Sequence, residues 1–171
     1  MQKRTVTTLL LLLALSSVIL ISQGVLLVRT PINDITTDTI NPPAFSAVIA
    51  LRHKRNNSTE YGGPLVAARQ AELYPDIKPI YLNLSLEEAF AKTLKIVGNM
   101  GWEIFATDEN KQIIEAIDVT PLFRFKDDIV IRVTSTDTGS RIDIRSQSRV
   151  GRSDLGKNAS RIRSFITNFS D

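Results

Sequence analysis

Two alternating segments joined by a short turn constrain the fold of this chain more than any other feature. From Asp128 to Ser135, Ile129, Ile131 and Val133 alternate with Asp128, Val130 and Arg132, and from Ser140 to Ser148, Ile142 and Ile144 alternate with Arg141, Asp143 and Arg145. A period of two marks strands, because successive side chains leave opposite faces of a pleated backbone. Thr136-Asp-Thr-Gly139 supplies the turn between them. A one-residue slip would move a whole isoleucine set to the wrong face, so the pattern also sets the register. Arg132 is expected opposite Asp143, and Val130 opposite Arg145.

The segments before this hairpin extend the same layer. Ile80, Leu82 and Leu84 alternate with Tyr81 and Asn83, which predicts a strand. Ser85-Leu-Glu-Glu88 is a capping box opening a helix whose buried stripe is Leu86, Phe90, Thr93, Leu94 and Val97, with Gly98 and Gly101 placed to end it. Trp102 to Thr107 and Gln112 to Thr120 form another hairpin around Asp108-Glu-Asn-Lys111, and Pro121 stops the second strand. Ser153 or Asp154 caps a final helix that presents Ile162, Phe165, Ile166 and Phe169. The expected architecture is α+β: an antiparallel sheet of about four strands with two helices on one face, in the order β-α-β-β-β-α, preceded by an N-terminal hydrophobic helix.

That N-terminal helix follows from Lys3 and Arg4 standing before the apolar run Leu9 to Val28. At about 1.5 Å per residue the run spans roughly 30 Å, the thickness of a bilayer core. As a signal anchor it makes a single-pass membrane protein with everything after Arg29 on the extracytoplasmic side. As a signal peptide cleaved near Gly24 it leaves a secreted or periplasmic domain. Residues 1–28 are therefore read as anchor or signal, 29–76 as a linker region and 77–171 as the domain. Pro31, Asn41-Pro-Pro43, Arg52-His-Lys-Arg-Asn-Asn-Ser58 and Gly62-Gly-Pro64 interrupt any long periodicity in the linker, from which little core is expected.

Composition excludes several chemistries. Without cysteine there is no disulfide, thiolate nucleophile or zinc-thiolate site. His53 is the only histidine and sits in a basic loop with no second histidine to share a metal, so it reads as solvated. With 21 Lys+Arg against 18 Asp+Glu, the chain is close to neutral, and a nucleic-acid partner is not implied. No cofactor and no metal site is expected. Asp127-Asp128 lacks a third ligand at a known spacing and is better read as a strand opening than as a divalent-cation site.

Three groups of residues could carry function. Arg132, Asp143 and Arg145, continued by Arg149 and Arg152, fall on the sheet face opposite the predicted helices. They form either a platform that holds an anion bidentately or a ladder of ion pairs on a solvated face. The turn Val150-Gly-Arg-Ser-Asp-Leu-Gly156 leads into a helix N-terminus, where an anion or the side chain of Ser153 or Asp154 can satisfy the free N–H groups. Glu115 shares a strand face with Ile113, Ile117 and Val119. It is a candidate general acid or base, with Asp118 on the other face, unless a bulge turns it outward or Arg124 pairs with it. The basic run Arg52-His-Lys-Arg55 is a charged linker, or touches anionic lipid if the anchor is retained.

The cassette Asp143-Ile-Arg-Ser-Gln-Ser-Arg-Val-Gly-Arg-Ser-Asp-Leu-Gly-Lys-Asn-Ala159, with Phe125-Lys-Asp-Asp-Ile-Val-Ile-Arg132 and Ile114-Glu-Ala-Ile-Asp-Val-Thr120, resembles the family catalogued as domain of unknown function 1499, over roughly residues 72 to 170. The resemblance implies a single exported or membrane-tethered α+β domain and assigns no chemistry to any residue. The leading expectation is a non-enzymatic binding module, tethered to the membrane by its N-terminal helix, for an anionic ligand or an envelope protein. The alternatives are a hydrolase-like enzyme using Glu115 with Asp118 or Asp143, and a purely structural envelope protein.

Overall fold

Alternation places Ile129, Ile131 and Val133 on one side of a strand and Asp128, Val130 and Arg132 on the other, and the fold builds a different layer against each side. The computed structural model describes residues 31–121 and 124–169. Ile32–Asp171 forms one compact unit. Its elements are β1 (Asp34–Thr36), a 3-10 helix (Ala47–Leu51), α1 (Gly63–Leu73), β2 (Ile80–Leu82), α2 (Leu86–Asn99), β3 (Glu103–Asp108), β4 (Ile113–Val119), β5 (Lys126–Thr136), β6 (Gly139–Ser148) and α3 (Lys157–Thr167). The expected N-terminal helix over Leu9 to Val28, and any cleavage near Gly24, lie outside the described residues. Among the described residues no helix is long and apolar enough to cross a membrane.

The class is α+β with an antiparallel sheet, but among the described residues there are six strands rather than about four, and three α-helices rather than two. Strand order is β1-β6-β5-β4-β3, with β2 also on β6. β1 and β2 share the outer edge of β6, β1 against Arg145 to Gln147 and β2 against Ser140 to Ile142. The β5–β6 register has Arg132 opposite Asp143 and Val130 opposite Arg145, as the alternation requires. Gly139 has φ +152, and a Cβ there would meet the Leu82 carbonyl oxygen at 2.1 Å, so the turn needs glycine for close approach to β2 as well as for its backbone angle.

The helix side holds the main core. Ile114, Ile129, Ile131, Val133, Ile142 and Ile144 of the sheet meet Phe90 and Val97 of α2 and Ile162 and Phe165 of α3. Trp102 stacks on Phe165 with centroids 5.9 Å apart. The capping box of α2 is present, Ser85 accepting from the Glu88 N–H and the Glu88 carboxylate accepting from the Ser85 N–H. The opposite face is not solvated. Phe45 and Val48 close over Ile117 and Val130 in a smaller core, with Leu51, Ile113 and Val119 at its margin.

The region expected to be linker is therefore part of the unit. Ile32, Ile35, Phe45 and Val48 are all buried, Ile35 and Val48 completely. Three-residue β1 is too short to display a period, and its place comes from pairing with β6. The free edge of β1 is closed by Gln70 of α1, whose carboxamide donates to the Thr36 carbonyl at 2.6 Å and accepts from the Thr36 N–H at 2.9 Å.

Candidate functional site

The arginine-rich face is built as a set of enclosed ion pairs. Arg145 is 2% exposed and grips Asp34 bidentately, Nε to Oδ1 at 2.9 Å and Nη2 to Oδ2 at 2.7 Å. Its remaining donors reach the carbonyls of Pro43 (3.2 Å) and Thr59 (2.8 Å), and its guanidinium lies against the rings of Phe45 and Tyr61. Burial, followed by the neighbouring Asp34 charge and against the pull of Arg145, pushes the Tyr61 hydroxyl up to about 12. Asp143 is 1% exposed and lies between Arg132 (3.1 Å) and Arg141 (2.9 Å), both of which also reach Asp38. Although burial opposes it, the Asp38 carboxyl is held below its ordinary value by N–H groups of Asn41 and Ile40 and by the two guanidiniums. Asp128 accepts from both Arg52 (2.7 Å) and Arg149 (2.7 Å).

Neither an open anion platform nor a solvated ladder describes this face. Arg132, Asp143, Arg145 and Arg149 face a covering segment, because the chain after β1, with the 3-10 helix, folds over the face that sequence alternation could only mark as opposite the helices, while β1 extends the sheet itself and supplies Asp34 at its edge. Arg152 is exposed in the loop after β6. Arg52, read as part of a charged linker run, has a side chain only 5% exposed and lies over Phe45, whereas His53, Lys54 and Arg55 beside it are exposed.

Glu115 does share a buried face with Ile117, and is itself 3% exposed. Neither an outward bulge nor Arg124 accounts for it. Its Oε1 accepts from the N–H groups of Ser46 and Ala47 at 3.0 and 2.8 Å, and its Oε2 from Val48 at 3.0 Å. The carboxylate thus answers the free N–H groups at the start of the 3-10 helix, a contact across 67 residues of chain that no local pattern reveals. A cleft of about 120 Å³ reaches Glu115 past Ala106 and Lys111. Asp118, on the helix side, binds Arg161 at 2.7 Å, so Glu115 and Asp118 are separated by the sheet, while Asp143 is held by its two arginines.

On the helix side, Arg161 joins Asp118 and Asp127, and also donates to Ser146 and Asn158. Asn158 is fully buried and links three segments, its amide donating to the Asn33 carbonyl and the Ser148 hydroxyl while its oxygen accepts from Ser146. Asp127 and Asp128 consequently serve opposite faces, and among the described residues no group of three or more His, Asp or Glu side chains could hold a metal. The N-terminus of α3 is occupied by Asp154, which accepts from Gly156 N–H at 3.0 Å and Asn158 N–H at 2.6 Å. Burial, reinforced by Asp127, raises the Asp154 carboxyl above its ordinary value even though these N–H groups oppose the shift.

What the ion pairs leave open lies at one end of the sheet, where the segment after the 3-10 helix, the β4–β5 connection and the β6–α3 loop converge. Backbone bonds tie them together: Asn57 N–H to Arg149 carbonyl (2.7 Å) and Arg149 N–H to Lys126 carbonyl (3.2 Å). The Asn57 side chain donates to the carbonyls of Ser148 and Gly151. Between the loops is an open pocket of about 400 Å³ lined by Arg124 and Lys126, by Arg149 with its guanidinium bonded to Asp128, and by His53, with Leu51, Phe125 and Val150 as its apolar part. Among the described residues no carboxylate lines it. A neighbouring pocket of about 380 Å³ shares Phe125 and is bounded by Leu155, Lys157, Asp127 and Asp154. Arg124 and Leu155 take left-handed backbone, with φ 55 and 54, an uncommon state for residues other than glycine. The sequence signal for the pocket was the cationic spacing in three separate loops, which means nothing until the fold gathers them.

Residues 34–169 match the model of the family described as Protein of unknown function (DUF1499). The chain belongs to that family. The match starts at Asp34, where β1 begins, so the family pattern covers the segment that lies over the arginines as well as the part that the cassette identified. No curated protein matches the chain.

Proposed function

We propose that this chain is a non-catalytic binding domain for an anionic ligand with an apolar portion, tethered through Leu9 to Val28 outside the cytoplasm. The observation that carries the reading is the 400 Å³ pocket in which Arg124 and Lys126 meet Leu51, Phe125 and Val150, with no carboxylate among the described lining residues. Arginine and lysine supply fixed positive charge to a phosphate or carboxylate, and the apolar wall gives a hydrocarbon portion somewhere to leave water. Arg132, Arg145 and Arg149 contribute differently. With their donors engaged by Asp34, Asp38, Asp128 and Asp143, they hold the loops in place.

The test is a thermal-shift titration of the unit Ile32–Asp171 with inorganic phosphate and with octyl phosphate. Both should raise Tm, octyl phosphate at lower concentration, since a ligand that binds only the folded state stabilises it by mass action. In Arg124→Ala/Lys126→Ala the ligand-free Tm should stay near that of the parent and the ligand-induced rise should disappear. An absent response in the parent, or an equal response in the variant, rules the pocket out.

A further inference from the structure

The same end of the molecule carries a charge imbalance that the pocket alone does not use. Residues 49–57 contribute Arg52, Lys54 and Arg55, residues 120–126 contribute Arg124 and Lys126, and residues 149–157 contribute Arg149, Arg152 and Lys157. Against these eight cations the three loops hold one carboxylate, Asp154, and Asp128 beneath them offsets one more. The whole chain has a net charge of only +3, so everything outside these loops is net negative. Such an asymmetry orients the domain in the field of a charged surface.

Exposed apolar side chains stand among the cations. Leu155 is 66% exposed, Phe125 50% and Val150 41%. They come from two loops and border both pockets. A polyanion such as a nucleic acid would use the charges and leave Leu155 and Val150 idle. A bilayer interface uses both, because lysine and arginine stay among headgroup phosphates while aromatic and aliphatic side chains reach the acyl boundary.

We infer that this three-loop end docks on the surface of an anionic phospholipid bilayer, with the basic pocket receiving a lipid phosphate and Phe125, Val150 and Leu155 entering the interface. The inference rests on the proposed anion pocket and names its source of anion. It gives the domain a membrane contact separate from the N-terminal apolar run. The opposite end of β5 and β6, at the Thr138 turn, lies away from the bilayer.

The absence of cysteine permits a single-site label on the full chain. Leu155→Cys and, at the far turn, Thr138→Cys are each coupled to the environment-sensitive fluorophore NBD and reconstituted into vesicles of phosphatidylcholine alone or with a third phosphatidylglycerol. The label at position 155 should brighten and shift to the blue only with phosphatidylglycerol, and the label at 138 should not change. Lys54→Glu/Arg55→Glu, at two exposed positions, should raise the phosphatidylglycerol fraction needed for half-response by at least about twofold, given the usual contribution of each basic residue near an anionic surface. Identical spectra at position 155 in both vesicles overturn bilayer docking, even if octyl phosphate still stabilises the isolated unit. Equal responses at 155 and 138 also overturn it, as general adsorption. A response to soluble heparin that exceeds the response to vesicles replaces the bilayer with a polyanionic partner. If the octyl phosphate response is absent as well, the pocket itself fails.

Discussion

Removing Arg145 should cost far more than removing a surface arginine, and the structure sets the size of the effect. Arg145 and Asp34 have side chains 2% and 7% exposed and meet in a two-pronged contact, so Arg145→Ala leaves a carboxylate enclosed without its cation. Breaking a buried pair from one side costs about 3–5 kcal/mol, whereas an exposed pair contributes about 0–1 kcal/mol. Two terms adjust that figure in opposite directions. The carbonyls of Pro43 and Thr59 lose their donor and Phe45 loses its cationic neighbour, while Asp34 keeps the Gln147 amide at 2.9 Å. A net loss of about 3–5 kcal/mol stands, a large share of the roughly 5–15 kcal/mol that holds a domain together. Urea unfolding of the unit Ile32–Asp171 measures it directly, and the corresponding fall in Tm is roughly 10–20 °C. The double variant Asp34→Ala/Arg145→Ala should lose less than the sum of the two single variants by about 2 kcal/mol or more, since the second truncation removes the stranded charge. A cost below about 1 kcal/mol for Arg145→Ala, or strict additivity in the cycle, would refute the enclosed-pair account.

Two further outcomes follow from the same bonding. Glu115→Gln should lower stability by about 1–3 kcal/mol in urea unfolding, because one of the oxygens facing Ser46, Ala47 and Val48 becomes a donor opposed to a donor; a neutral substitution would show that the 3-10 helix does not depend on it. Asp154, whose folded-state carboxyl is raised by burial, binds a proton more readily in the folded chain than in the unfolded one, so its contribution to stability falls as pH rises from its ordinary 3.8 through its raised value. Asp154→Asn should flatten the slope of the urea midpoint against pH in that window, and superimposable slopes would contradict the assignment.

The hairpin of β5 and β6, its register, the capped α2 and the apolar face of α3 could be read from the chain because each depends on residues a few positions apart. Period two, period 3.6 and a Ser-x-x-Glu cap are local consequences of backbone geometry. The same logic placed Glu115 on a face with Ile117 and set Asp118 on the other. It could not say that a second layer covers that face. The layer consists of a five-residue 3-10 helix and irregular chain that follow the three-residue edge strand β1, none long enough to show a period, and its prolines and glycines are equally those of a linker.

The candidate site divides in the same way. The residues alone establish that cations and carboxylates alternate on β6 and that the chain lacks the thiols for disulfide or thiolate chemistry. Tertiary structure decided which of those cations are already neutralised. Arg132 on β5, Arg145 on β6 and Arg149 just past it look alike in sequence, and only contacts with Asp34, Asp38 and Asp128, between 21 and 111 residues away, turn them into internal ties. Arg124 and Lys126 remain with the pocket because they stand just before and at the start of β5, at the end of the sheet where three loops meet. Charge type is a property of the residue, but burial and partnership are properties of the assembled layers, and these decide whether an arginine stabilises the fold or is left to bind something else.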